Sequence, residues 1–191
     1  MLRSGLSFAF LVAMTAVAHA HPAIGVPHGF VNGVAHPLGG IDHILAMVAV
    51  GGFAAHLGGR ALWLVPTSFV TMMVVGGVLG MTDVTLPFVE IAIGLSVVAL
   101  GLIVAFRLDM ATWMAMAVVG FFALFHGHSH GTEMPQTASG LAYGAGFVVA
   151  TALLHIAGIG IGLGMAQHRR ALQMLGAAIA VAGVAIVGGY V

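Results

Sequence analysis

The 191-residue chain carries five arginines, five acidic residues and no lysine, so 5% of it is charged where soluble domains carry roughly 25%. With 61% hydrophobic residues recurring in runs as long as a bilayer is thick, a water-soluble globule is excluded. A formal net charge of zero without a basic patch excludes a nucleic-acid binder, and the absence of cysteine leaves only nitrogen and oxygen donors, with methionine sulfur, for any metal.

Residues 1–20 read as a secretory signal peptide: Arg3, an apolar stretch from Leu6 to Val17, then Ala18-His19-Ala20 as a small-x-small cleavage site. The mature chain is expected to start at His21, outside the cytoplasm; the alternative is an uncleaved first span. From residue 21 to 37 three prolines and three histidines with no long apolar run suggest an ordered extracytoplasmic arm. Six apolar segments follow, at about 38–57, 62–80, 86–106, 110–126, 138–164 and 171–190. Backbone groups in lipid must be satisfied within their own segment, and the alternation of a barrel strand is absent. The expected fold is therefore all-α, a polytopic bundle of six transmembrane helices forming one domain, 21–191.

With the mature N-terminus outside, Arg60, Arg107, Arg169 and Arg170 all fall in inner loops, as the positive-inside rule requires, and Asp83 and residues 127–137 fall outside. Trp63 and Trp113 sit at inner span ends as interfacial anchors. Gly76 with Gly80, Gly158 with Gly162, and Gly160 with Gly164 are small-xxx-small pairs suited to close helix packing.

Eleven histidines in so apolar a chain call for an account. The first cluster, HPLGGIDH, brings His36, Asp42 and His43 into the first span from outside. If the helix already runs from His36, with Pro37 in its first turn, positions 36 and 43 are two turns apart on one face. Two imidazoles and a carboxylate suit Ni²⁺, Co²⁺ or Zn²⁺. The second cluster, FHGHSHGTE, ends the fourth span; a continuous helix puts His126, His130 and Glu133 on one face and points His128 elsewhere. A break at Gly127 or Gly131 would instead let His128 swing in. Both clusters emerge at the same face of the membrane, on two different helices. Charge inside a span costs roughly 2.5–3.5 kcal/mol, so such groups face a partner or a watery cavity. Glu90, near the outer end of the third span, would complete the site, and His155 would be a deeper second station. His28, His56 and His168 are read as packing residues.

The segments HPLGGIDHILAMVAVG, FHGHSHGTE and GFVVATALLHIAGIGIG, in this order, resemble the signature segments of the HupE/UreJ family, small bacterial membrane permeases associated with nickel or cobalt supply to hydrogenase and urease. The resemblance implies six spans after a cleaved leader, and places the metal-linked motif positions on His36, Asp42, His43, His126, His130 and Glu133. Ser129 departs from the alanine expected at its position. Nickel or cobalt as the substrate is implied by the resemblance, not by the spacing.

The expected function is an inner-membrane permease that collects Ni²⁺ or Co²⁺ at a periplasmic His/Asp/Glu site and passes it inward for metalloenzyme maturation. It would use no organic cofactor and no catalytic residue. No Walker A sequence occurs, so ATP hydrolysis by this chain is not expected. The expected partners are the divalent ion and the lipid bilayer; homo-oligomer formation stays open. The alternative is an intramembrane zinc-dependent hydrolase, in which Glu133 or Ser129 helps activate a water at the same cluster. His21, with its free α-amine, would offer a minor chelating position at the entrance.

Overall fold

A computed structural model of the chain describes residues 29–82, 84–134 and 138–190. The expected signal peptide, the start of the arm with His21 and His28, and Asp83 lie outside the described residues. Seven α-helices, and no strand among the described residues, follow one another: α1 (Gly29–Gly39), α2 (Ile41–Leu57), α3 (Ala61–Met81), α4 (Val89–Phe106), α5 (Thr112–Thr132), α6 (Ala138–Gly164) and α7 (Arg169–Val187). Helices α3, α4, α7 and residues 140–164 of α6 are long and apolar enough to cross a membrane. The α1–α2 pair makes a fifth such element, bent by 83° at its break. This is a multi-pass helical membrane protein. Helix α5 is as long as α3 but falls short of that apolarity, because its last turns hold His126, His128 and His130.

Two expectations need correction. The arm expected over 21–37 is helical from Gly29 onward, and the first span is not one helix from His36 to residue 57. Pro37 has no N–H to offer the carbonyl of Gly33, and Gly39-Gly40 follows it, so the helix stops; Gly40 turns extended (φ −100°, ψ 117°) before α2 begins. What makes 29–39 helical is tertiary packing. A Cβ on Gly33 would strike the Tyr143 carbonyl, and one on Gly146 would strike that of Phe30, so α1 lies backbone to backbone against the start of α6.

The alternative of a break at Gly127 or Gly131 does not occur: α5 runs unbroken through both. Gly127 meets the Met73 carbonyl and Gly131 meets that of Gly77; from the other side Gly76 meets Leu124 and Gly80 meets His128. In lipid no hydrophobic force drives helices together, so close backbone approach and dispersion must do so. Four glycines provide it along the α3–α5 seam. Gly158 and Gly162 do the same for α6 against α2, at Val48 and Ala55, whereas Gly160 and Gly164 meet nothing among the described residues and face outward. The remaining helix, α7, packs on α4.

Helix alternation places the start of α2, the start of α4, the end of α5 and the start of α6 at one end of the bundle. Arg60, Arg107, Arg169 and Arg170 stand at the other. Trp63 and Trp113 are exposed at that arginine end. There His56 is held through one nitrogen: its Nε2 is 3.1 Å from the Arg107 carbonyl and 3.0 Å from an Asp109 carboxylate oxygen.

Candidate metal site

The end opposite the arginines opens into a cavity of about 750 Å³ whose walls include His36, Asp42, His43, Glu90, His130 and Glu133. Three carboxylates on one wall system give it a negative potential that concentrates cations.

At the mouth, α1 and α5 meet. His36 Nε2 lies 3.1 Å from both His130 Nδ1 and Glu133 Oε2, and His130 Nδ1 is 3.6 Å from the same carboxylate oxygen. Metal–ligand bonds of about 2.1 Å separate adjacent donors by roughly 3.0 Å at right angles and roughly 3.4 Å in a tetrahedron. The triangle already has nearly those edges. Polar contact with His130, above all, and then the charge of His36 hold the Glu133 carboxyl below the usual carboxylate value despite its partial burial, so it is ionised at neutral pH.

Deeper, His130 joins a second group with His43 and His126. One donor atom from each lies within 4.8 Å of the others, as also holds for His36, His130 and Glu133. The His43 ring centroid is 5.6 Å from that of His126 and 5.3 Å from that of His130, and Phe147 stands edge-on to His43 at 5.1 Å. His43 and His126 are buried, while Glu133 is half exposed.

Two hydroxyls fix how these rings present their nitrogens. Ser96 Oγ donates to the Ile93 carbonyl at 2.6 Å and so accepts from His126 Nε2 at 2.8 Å. Thr151 Oγ1 donates to Met73 Sδ at 3.8 Å and accepts from His43 Nε2 at 3.2 Å. Each ring is therefore the Nε2–H tautomer by its hydrogen bonds, which leaves its Nδ1 lone pair free. Both Nδ1 atoms are buried with no hydrogen-bond partner among the described residues. Leaving such a group unpaired costs roughly 1–3 kcal/mol. His56 and His128 each leave an Nδ1 unpaired too, but only at His43 and His126 does a third imidazole, that of His130, converge.

The remaining candidates divide. Asp42 lines the cavity, but its Oδ1 accepts the His43 backbone N–H at 2.7 Å, and it belongs to neither donor group. Glu90 lines the wall without joining either group. His128 points away and its Nε2 donates to the Val84 carbonyl at 2.6 Å, holding the loop after α3. Ser129 lines the cavity. Sequence reasoning missed Ser96 and Thr151. The available signals were faint: Ser96 is the one polar side chain of its helix after Glu90 in the first turn, and Thr151 precedes His155 by one turn.

The model of the family described as HupE / UreJ protein matches residues 9–186. The chain belongs to the HupE/UreJ family. This HupE/UreJ chain is also similar to "Protein HupE" of Rhizobium leguminosarum bv. viciae, 47% identical over 182 residues, covering 93% of this chain and 94% of that one. No solved structure matches it. The family assignment covers the whole of the histidine architecture just described, from α1 to the end of α6.

Proposed function

We propose that this HupE/UreJ member is an inner-membrane permease that takes Ni²⁺ or Co²⁺ from the periplasm and delivers it to the cytoplasm. The observation that carries the reading is the pair of donor groups sharing His130, one at the mouth of an acidic cavity and one buried beneath it. Two overlapping sets of labile N and O donors suit an ion that must enter readily and leave again. The family resemblance favours nickel or cobalt within the borderline ions that imidazole accepts. The four arginines at the far end favour an opening toward the periplasm, by the positive-inside rule. That orientation brings α5 across the membrane as the sixth crossing element, packed along α3. Glu133, the candidate base of a zinc hydrolase, is already engaged in the donor triangle.

The test is influx of radiolabelled Ni²⁺, and of Co²⁺, into liposomes holding the purified full chain, beside the same protein with His130→Ala. Transport that runs in the parent and stops in the variant supports the reading. Liposomes that accumulate neither ion, or a His130→Ala protein that transports normally, overturn it.

A further inference from the structure

Beneath the shared donors, side chains from two facing helices meet at the centre of the bundle. Thr151 and His155 stand one turn apart on α6, and Phe69 and Met73 one turn apart on α3, so each pair shares a face. All four are buried. The pairs touch: the Phe69 ring is 5.2 Å from that of His155, and Thr151 Oγ1 donates to Met73 Sδ. The same side chains reach up to the outer histidines, through Thr151 Oγ1 at 3.2 Å from His43 Nε2 and the Phe69 ring at 5.8 Å from that of His126.

His155 is the anomaly of this layer. It is 1% exposed, and neither of its ring nitrogens has a hydrogen-bond partner among the described residues. Each of the other buried histidines fills at least one nitrogen, on Thr151, Ser96 or the Val84 carbonyl. A buried polar group without a partner is disfavoured, and an apolar ring would fill the space without that penalty. The surroundings nonetheless offer further donors of the right kind. An imidazole, a hydroxyl and a thioether are neutral ligands that a borderline divalent ion accepts, without the carboxylate that strengthens the mouth.

We propose that His155, with Thr151 one turn before it and Met73 facing Thr151, is a second and inner ion-binding station that receives the metal from the His43–His126–His130 group. The inference deepens the transport reading given above and rests on it. Thr151 is the link, since its hydroxyl lies on His43 and its helix carries His155 one turn further from the mouth. Phe69 separates His155 from His126, so the ion changes partners rather than being shared.

The experiment sets the parent chain against His155→Phe in liposomes and in detergent. Phenylalanine nearly matches the imidazole in size and has no polar atom, so a packing role for His155 gives a folded protein with parental influx. The station gives a protein of parental melting temperature that binds Co²⁺ in equilibrium within twofold of the parent and whose initial influx falls at least tenfold. Influx within twofold of the parent overturns the station. So does loss of equilibrium binding together with influx in a folded protein, because His155 would then belong to the outer site. If His155→Phe does not fold, His155→Asn decides by the same two thresholds. A parent chain that moves neither ion sinks the transport reading itself, whereas a parent that transports beside an equally active His155→Phe sinks the station alone.

Discussion

The two ends of the bundle use histidine in opposite ways. At the arginine end His56 spends its Nε2 on a carbonyl and a carboxylate, closing the α4–α5 turn against α2. At the other end His43 and His126 spend theirs on hydroxyls whose protons already point elsewhere, and keep Nδ1 in hand. An unpaired, buried Nδ1 does not separate the two cases, since His56 has one as well. What separates them is whether other donors converge: around His130 three other histidines offer a donor within 4.8 Å, and around His56 there is one acid that is almost fully exposed.

The strongest way to break this contrast is to remove the residue both donor groups share. His130→Ala takes one ligand from each and is expected to lower Ni²⁺ affinity and influx by about a hundredfold or more, read by equilibrium binding and radiolabelled uptake. Retention of more than a tenth of either would place the ion elsewhere. Next in size is acid. Ligation needs neutral imidazoles, so the ion is held where the rings are neutral and is released as acid protonates them, read by equilibrium Ni²⁺ binding over a falling pH series. Glu133, held below the usual carboxylate value chiefly by its contact with His130, stays ionised as the pH first falls from neutral and does not start the loss. Binding that strengthens as the pH falls would take the imidazoles out of the ligand set.

Smaller effects sharpen the contrast. Ser96→Ala removes the hydroxyl that orients His126 while leaving every ligand in place, and is expected to weaken metal binding about tenfold with a melting temperature close to that of the parent. An unchanged affinity would make Ser96 a helix-packing residue. His56→Gln belongs to the other end: metal binding within twofold of the parent is expected, with stability lower by about 1 kcal/mol from the lost hydrogen bonds, measured by thermal unfolding in detergent.

Much of this was legible before any coordinates, and the exceptions have physical causes. Long apolar runs fix helices in lipid because no other backbone state is satisfied there, so the segments 62–80, 86–106 and 138–164 each became one helix. The spacing of His126 and His130 is a property of one continuous helix and could be read from the sequence; Glu133 caps that helix and groups with His36 and His130 rather than with His126. The α1 helix could not, because it forms through contact with Tyr143 and Gly146, more than a hundred positions away. For the same reason His36 joins the site by a different route than helical eclipse. The 83° bend at Gly40 brings it beside His130 rather than above His43. Ser96 and Thr151 were invisible because a hydroxyl in a span satisfies itself on its own helix as a rule, and only the third dimension shows a histidine leaning on it.

The glycine seam between α3 and α5 does more than hold two helices together. Because main chain rests on main chain at Gly76, Gly80, Gly127 and Gly131, α5 has no room to roll or slide, and the depth of His126 and His130 is locked. Adding a single methyl group at Gly127 would force the two helices apart by about an ångström or more, comparable to the difference between one coordination geometry and another. Four positions without side chains, two on each helix, therefore set where the imidazoles of His126 and His130 stand.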